Sequence, residues 1–376
     1  AEYNIAIGNY SLDAITSADY NTVVGYAAGG ATTTGGYNVM LGANAGLDHT
    51  TGQNCVFIGA NAGGNNTTGS GDIYIGSSAG VTTVTSTTDA TEPNTFVGYT
   101  AGYSITGETS NTYIGRVADG TGTPNGCEYN VGVGNYVFQD LTTGDENTCV
   151  GYKAGVQLTT GVSNVLIGRG AAQAITTAGM PGNGFNTFLG TYAGYNTTTG
   201  SVNTIIGGWS GTSAVDSTHQ KVIGYNVTGS GNSTFTFGNA GNDTTCTDGA
   251  TTWSNPSDIR IKKDIEDSTA GLSFINDLRP VNFKFKTKGE LDPDFYLYEE
   301  GSTEPASFTD GVVNGFIAQE IKEVIDNHPE YKGNELWKEG PEQQDKRQRV
   351  SKEALIPILV RAIQDLSDKV KALEDA

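Results

Sequence analysis

A short repeat governs the first two thirds of this chain. The motif Asn-x-x-(Ile/Val/Leu)-Gly, with variants such as CVFIG and DIYIG, recurs fourteen times between Asn4 and Gly238. Most of its glycines lie 17 residues apart, and the larger gaps of 19 and 22 residues hold added sequence such as TSTTDATEPN. Each unit is too short for two helices, and its few alternating apolar residues are bounded by Gly, Asn and Thr. The repeat therefore predicts a mostly β fold, a β-solenoid of about fourteen 17-residue coils.

The residue types within a unit indicate how a coil is built. Alternate apolar residues, such as Ile5 and Ile7 or Val165 and Ile167, are expected to fill the interior. The recurrent glycine permits a tight corner with positive φ, and the recurrent Asn can hydrogen-bond to its counterparts above and below as a ladder. At ~4.8 Å per coil, the stack would be on the order of 65 Å long. Because so thin a coil buries little apolar surface, we expect parallel solenoids to associate.

The composition divides the chain into two parts. Residues 1–250 contain 4 basic and 16 acidic residues and 46 of the 53 glycines, whereas residues 251–376 contain 17 basic and 25 acidic residues. The share of charged residues rises from about 8% to about 33%, which indicates a domain boundary near Thr251. We expect a repetitive solenoid over 1–242, a connector over 243–256 and a second domain over 257–376.

Charge and hydropathy argue against two kinds of partner. Both parts are acidic and the net charge is −20, which argues against a protein that grips nucleic acid. The longest apolar run, ALIPILV at 354–360, is far shorter than a bilayer span, so no membrane insertion is expected. No motif points to a cofactor. With three scattered histidines we expect no metal site within one chain, although a threefold axis could assemble one from three copies.

For the cysteines, acidic residues and tyrosines of the repeats, a structural role has to be weighed against a functional one. The four cysteines lack paired spacing and are expected to be small apolar core residues. Acidic residues do not recur at one position of the unit, so no paired-carboxylate glycosidase site is expected. Several tyrosines could stack on sugars or could support the coil as an aromatic ladder; they are Tyr26, Tyr99, Tyr103, Tyr152, Tyr192, Tyr195 and Tyr225.

The C-terminal part has ordinary mixed patterns. LRPVNFKFK, at 278–286, predicts a strand with Val281, Phe283 and Phe285 alternating. NGFIAQEIKEVI, at 314–325, predicts a strand or turn that runs into a helix with apolar residues on one face. The last 27 residues predict a long helix with Pro357 near its start, where proline is tolerated. A 4-3-4-3-4 spacing in this helix predicts a short parallel coiled coil, formed by Leu355, Leu359, Ala362, Leu366, Lys369 and Leu373.

Four blocks in this order, SDIRIKKDI, LRPVNFKF, GFIAQEI and ALIPILVRAIQDLSDKVKALE, resemble the intramolecular chaperone domain of phage endosialidase tailspikes and tail fibres. The upstream units resemble the head repeats of bacterial trimeric autotransporter adhesins, through the signature N-x-a-I-G-x-x-A-G, and also repeats of phage tail fibres. The chaperone resemblance implies a homotrimer, in which a small α+β domain with a long coiled-coil helix drives assembly of a β-solenoid shaft. Many members of that family cut themselves off just before a serine.

Residue by residue, the resemblance implies Ser257 as the nucleophile and Lys262 as the general base, with cleavage between Pro256 and Ser257. A serine hydroxyl needs a base to take its proton, and a lysine serves as that base only when burial or nearby cations lower its pKa. Arg260 and Lys263 would supply such cations, whereas Asp258 and Arg260 could instead pair as structural residues. The enzymatic activity would be at most one self-cleavage per chain.

Together these patterns predict a trimeric phage tail fibre on the virion, which would bind a host surface glycan or outer-membrane receptor. Its chaperone domain could be released after assembly. Two alternatives stay open: a cellular extracellular adhesin that retains the chaperone as a cap, and a tailspike that degrades a polysaccharide.

Overall fold

A computed structural model describes the chain except residues 83–92, 105–106, 108, 120–125, 177–183, 251, 296, 308–309, 334 and 341–347. The chain forms two compact units, Ala1–Ser257 and Asp258–Ala376. Among the described residues, none of the helices has the length and apolar character needed to cross a bilayer.

The first unit is a β-solenoid built on one 15-stranded sheet whose strands follow chain order. Twelve three-residue strands lead it: β1 (Ile5–Ile7), β2 (Thr22–Val24), β3 (Val39–Leu41), β4 (Val56–Ile58), β5 (Ile73–Ile75), β6 (Thr95–Val97), β7 (Thr112–Ile114), β8 (Val131–Val133), β9 (Thr148–Val150), β10 (Val165–Ile167), β11 (Thr187–Leu189) and β12 (Thr204–Ile206). Longer strands follow: β13 (Lys221–Tyr225), β14 (Thr234–Asn239) and β15 (Asn242–Thr247).

The strands confirm the predicted solenoid, but the number of its turns is slightly smaller than predicted. Each strand from β1 to β13 pairs in parallel with the next, and the register joins equivalent motif positions, such as Ile5 with Thr22. The solenoid has about twelve turns rather than the fourteen predicted. The last two motif copies form the longer β13 and β14, and β14 then turns back antiparallel into β15 and ends the regular stack. Part of the predicted connector therefore belongs to the sheet.

The assignment of the interior residues was wrong by one position. A three-residue strand points only its middle side chain inward, so Leu166 is fully buried whereas Val165 is 38% exposed and Ile167 is partly exposed. In the first coil Ile5 and Ile7 are exposed as well. Buried middle residues form a continuous core, which includes an interior stack of Phe57, Tyr74, Phe96 and Tyr113 with ring centroids 4.9 to 5.2 Å apart. The flanking aliphatic residues face outward.

The predicted asparagine ladder is present inside the solenoid. The backbone N–H of Asn147 donates to Oδ1 of Asn130 at 3.0 Å, and the Nδ2 group of Asn147 donates to the Gly161 carbonyl at 2.8 Å. The same backbone-to-side-chain bond recurs from coil to coil at Asn21, Asn38, Asn94, Asn111, Asn130, Asn164, Asn186 and Asn203. These bonds satisfy buried polar groups that would otherwise destabilise so thin a core.

The motif glycine is required by close stacking between coils. Gly98 has φ +142°, and a Cβ on it would lie 2.2 Å from the Gly115 carbonyl oxygen. A side chain at this corner would therefore separate adjacent coils, which explains why the motif ends in glycine.

The second unit is a small α+β domain. Its helices are α1 (Leu272–Asp277), α2 (Ala318–Asn327) and α3 (Leu355–Glu374), and its strands are β16 (Val281–Phe283), β17 (Val313–Gly315), β18 (Trp337–Glu339) and β19 (Gln348–Val350). β16 pairs antiparallel with β17, and β18 with β19. The core contains Ala270, Phe274, Ile321, Leu336, Leu355 and Ile358. The predicted strand, the turn into a helix and the long terminal helix are thus confirmed, with Pro357 in the first turn of α3.

The predicted coiled-coil positions on α3 need correction. Leu355, Ile358 and Ala362 are buried in the unit's own core, so they are not free to form a seam. Six exposed apolar residues instead follow a 3-4-3-4-3 spacing that avoids Lys369, while Val360 is exposed outside this series; we call the six the helix seam: Ile356, Leu359, Ile363, Leu366, Val370 and Leu373. The expected spacing was wrong because the sequence mixes core residues and seam residues on one helix.

Candidate functional site

The predicted cleavage site lies just before a single 3-10 turn, Ile259–Ile261. The residues on either side of the turn, Asp258 and Lys262, have extended backbone conformations. Asp258 caps this turn, since its Oδ1 accepts the backbone N–H of Arg260 at 2.9 Å. Lys262 ends the turn, with its backbone N–H on the Ile259 carbonyl at 3.1 Å. Ser257 directly precedes Asp258. The two predicted catalytic residues, Ser257 and Lys262, therefore lie on opposite sides of the turn in the sequence.

The charges of this stretch form a local pair. Nε and Nη2 of Arg260 donate to the Asp258 carboxylate at 3.0 and 2.6 Å. The side-chain and backbone hydrogen bonds from Arg260 hold the pKa of Asp258 below its usual value, and Asp258 in turn raises the pKa of Arg260. The side-chain contacts of Arg260 are thus made with Asp258, the pairing expected if the two residues are structural partners.

Every described residue from 252 to 269 is exposed in the single chain, including Pro256, Ser257, Lys262 and Lys263. Ile259, Ile261 and Ile265 are exposed within the same stretch. Three exposed isoleucines in seven residues are unusual for a surface that remains in water. Such exposed apolar side chains mark the stretch as a candidate contact surface.

Beyond the 3-10 turn, charged contacts tie the second unit together. His328 follows the last residue of α2, and its ring nitrogens lie 2.6 Å from Glu330 Oε1 and 2.7 Å from Asp277 Oδ2. The contacts with Glu330 and then Asp277 raise the pKa of His328. The backbone N–H of Leu272 donates to Asp365 Oδ2 at 3.1 Å, which fixes the start of α1 against α3.

The segment that contains the 3-10 turn and α2 can be compared with a known family. Residues 257–328 match the family model for the chaperone of endosialidase. This endosialidase-chaperone segment begins at Ser257, runs through α1, β16, β17 and α2, and ends at His328. It contains three of the four resembling sequence blocks, while α3 lies beyond it. No curated protein and no solved structure matches the chain.

The four cysteines are placed as predicted. All four are buried, and no disulfide joins them. Burial raises the pKa of Cys55 to about 12, and its thiol donates to the Gly69 carbonyl at 3.2 Å. Cys55 therefore packs as a protonated core group.

The tyrosines singled out in the sequence lie on the outside of the solenoid. Tyr26, Tyr99, Tyr152 and Tyr225 directly follow the motif glycine and are 45 to 60% exposed. Tyr103 and Tyr195 lie further along their coils and are 39% and 41% exposed, whereas Tyr192 follows its motif glycine by two residues and is half-buried. We call the two positions that follow each motif glycine the glycine corner.

Sequence reasoning missed the basic residues at the glycine corner. Arg116, Lys153 and Arg169 occupy it in nearby coils, and each has its cationic group within 6 Å of a tyrosine ring centroid. The available signal was positional: the four basic residues of 1–250 are few, but three of them follow the motif glycine by one or two residues.

Proposed function

We propose that this chain is a homotrimeric phage tail fibre whose solenoid binds the host surface and whose C-terminal unit drives trimerisation and folding. The observation that carries the proposal is the match of 257–328 to the chaperone of endosialidase, directly behind a β-solenoid. A chaperone segment that is continuous with a repetitive shaft has an evident client, namely the shaft itself.

The outer face of the sheet supports association of copies. The third residue of every strand from β1 to β12, and Ile223 of β13, is aliphatic and partly or largely exposed; we call this set the apolar band. Its members are Ile7, Val24, Leu41, Ile58, Ile75, Val97, Ile114, Val133, Val150, Ile167, Leu189, Ile206 and Ile223. A continuous line of thirteen aliphatic residues that are not buried is the kind of surface that marks an interaction site. Another copy has the same 17-residue spacing, so it can cover the band along its whole length.

A repetitive interface needs a device that fixes its register. A shift of one coil would keep nearly every contact between identical bands, so the band alone specifies alignment weakly. The helix seam occurs once per chain and has no such alternative. If the seams associate first, the shafts start aligned, and each coil can then pair with its counterpart.

Cleavage would follow assembly. In the proposed step Ser257 Oγ attacks the Pro256 carbonyl carbon while Lys262 takes the hydroxyl proton and passes it to the Ser257 nitrogen. The C–N bond breaks and an ester to Oγ forms; water then hydrolyses the ester and releases the Pro256 carboxylate. Lys262 must be neutral to act, and burial by other copies would favour the neutral amine. Loss of the chaperone would leave the fibre kinetically trapped.

The test is the intact mass of the chain under denaturing conditions, beside the oligomer mass of the native protein. We expect wild type to split before Ser257, Ser257→Ala and Lys262→Gln to stay at 39.2 kDa, and all three to be trimers. Ser254→Ala is the matched control, because it removes an exposed hydroxyl three residues away, and it should split like wild type. A whole wild-type chain in a trimer would contradict cleavage alone, and a monomer would contradict the fibre.

A further inference from the structure

The basic residues of the solenoid are concentrated on one line of its surface. In residues 1–250 there are 4 basic and 16 acidic residues, a net charge of −12. Three of the four basic residues nevertheless lie at the glycine corner, and neither position of that corner holds an Asp or Glu in any coil from β1 to β13. The corner is therefore a narrow line of positive charge on an acidic unit.

Aromatic rings alternate with these cations along the stack. The guanidinium carbon of Arg116 lies 5.9 Å from the Tyr99 ring centroid and 5.2 Å from that of Tyr136. Arg169 lies 5.4 Å from the Tyr192 ring, and Tyr192 packs on Trp209 with centroids 4.4 Å apart. Together with Tyr152 and Lys153, which lie between these two groups, these residues form what we call the corner ridge.

The ridge is held rigidly by the backbone. The second corner residue of each coil has a left-handed conformation, with φ of 59° at Tyr136, 56° at Tyr192 and 57° at Trp209. Its N–H donates to the carbonyl of the first corner residue one coil earlier, as from Tyr136 to Arg116 at 3.1 Å and from Tyr192 to Arg169 at 2.8 Å. The side chains are thus presented at a fixed repeat of ~4.8 Å, which reduces the entropy cost of binding an extended ligand.

We infer that the corner ridge binds an acidic polysaccharide that runs along the stack. Arginine forks pair with carboxylate or sulfate groups, and exposed tyrosine and tryptophan rings pack on the apolar faces of sugar rings. Arg116 and Arg169 are three coils apart, roughly 14 Å, so they would contact anionic groups on separate sugars of one chain. A nucleic acid fits less well, because its dense phosphates would be repelled by the acidic surface beside the ridge. This inference rests on the proposed host-binding role and names the ligand class for it.

Binding can be measured by affinity electrophoresis and calorimetry of the full-length protein with alginate, polygalacturonate and hyaluronan as probes. Neutral dextran and single-stranded DNA serve as comparison ligands. We expect at least one acidic polysaccharide to bind, dextran not to bind, and about 0.5 M NaCl to weaken the binding. Arg116→Gln with Arg169→Gln should weaken it by about tenfold or more, and Trp209→Ala should weaken it by about threefold to tenfold with little change in salt dependence.

Lys221→Gln is the matched control, because it removes the one solenoid cation outside the ridge, and it should change affinity by less than about twofold. Binding by none of the three probes, stronger binding to DNA, or equal loss in the control would overturn the inference. Loss of the trimer in the double arginine variant would also overturn it, since the ridge would then be an interface between copies. A wild-type trimer that fails to bind contradicts the ridge alone, whereas a wild-type monomer contradicts the proposed function.

Discussion

The two units cover their apolar residues to very different extents. In the solenoid, the buried core continues from Leu12 to Val227 and gains a new interior side chain with each coil. In the second unit, the core cluster has six buried residues, while the helix seam and the isoleucines near Ser257 remain exposed. A repeat protein gains stability from each neighbouring unit, whereas the second unit leaves the apolar residues of its helix seam uncovered. In the proposed fibre, the solenoid would supply stability along one chain, and the C-terminal unit would supply contacts between chains.

The strongest challenge to this contrast is a charge in the helix seam. Ile363→Asp would place one carboxylate from each chain against the others in an apolar contact, and we expect it to abolish the oligomer. Sedimentation equilibrium measures the result. Gln364→Asp is the matched control, since it adds the same charge to the adjacent residue outside the seam, and it should leave the oligomer intact.

The same measurement tests the number of chains. β-Branched residues at Ile356, Ile363 and Val370 with leucines between them favour two strands in a parallel coiled coil considered alone. A trimer therefore requires that the apolar bands or the rest of the unit add to the choice. A wild-type dimer would contradict the homotrimer, and an intact oligomer in Ile363→Asp would show that the seam does not join the chains.

A second pair of variants separates the inside of the solenoid from its outer band within one strand. Phe96 is fully buried between the rings of Tyr74 and Tyr113, so Phe96→Ala should lower the free energy of unfolding by about 3–5 kcal/mol. Val97, the next residue, belongs to the apolar band. Val97→Asp should keep the β-sheet circular dichroism of wild type but lower the temperature at which the oligomer dissociates.

These two variants can be compared by thermal melts followed by circular dichroism and light scattering. If Val97→Asp dissociates at the wild-type temperature, the band faces solvent. If Phe96→Ala unfolds like wild type, the ring does not contribute to the core as its burial indicates.

The sequence allowed much of this fold to be predicted, for identifiable reasons. Repeats carry their own alignment, so the strands, the glycine corners and the asparagine ladder could be located from motif positions alone. Which strand residues point into the core could not be predicted, because outer residues such as Val165 and Ile167 are as apolar as the inner Leu166. The helix seam was misplaced for the same reason: α3 carries two apolar faces, and only packing distinguishes Ile358 in the core from Ile356 at the surface. The corner ridge depends on stacking that brings residues about 17 positions apart into contact.

One coil in the ladder offers a finer test, because Asp72 takes the place of asparagine there. Its carboxylate is buried and accepts hydrogen bonds from the Asn94 N–H at 2.9 Å and from Asn66 Nδ2 at 2.7 Å. Burial raises the pKa of Asp72 to about 6. The folded chain then binds this proton more tightly than the unfolded chain does, so stability should fall as pH rises from about 4 to about 6.

A shift of about two units in the pKa of Asp72 corresponds to a loss of about 3 kcal/mol in the free energy of unfolding across that window. Asp72→Asn cannot titrate, so the difference in unfolding free energy between wild type and this variant should change by about that amount between pH 4 and pH 7. Asp48→Asn removes an exposed carboxylate of the same unit and is the matched control, which should keep the wild-type pH dependence. Denaturant unfolding at several pH values measures these differences. Parallel pH profiles for wild type and Asp72→Asn would contradict this prediction. They would mean that water or a rearranged coil stabilises the ionised carboxylate of Asp72 inside the ladder.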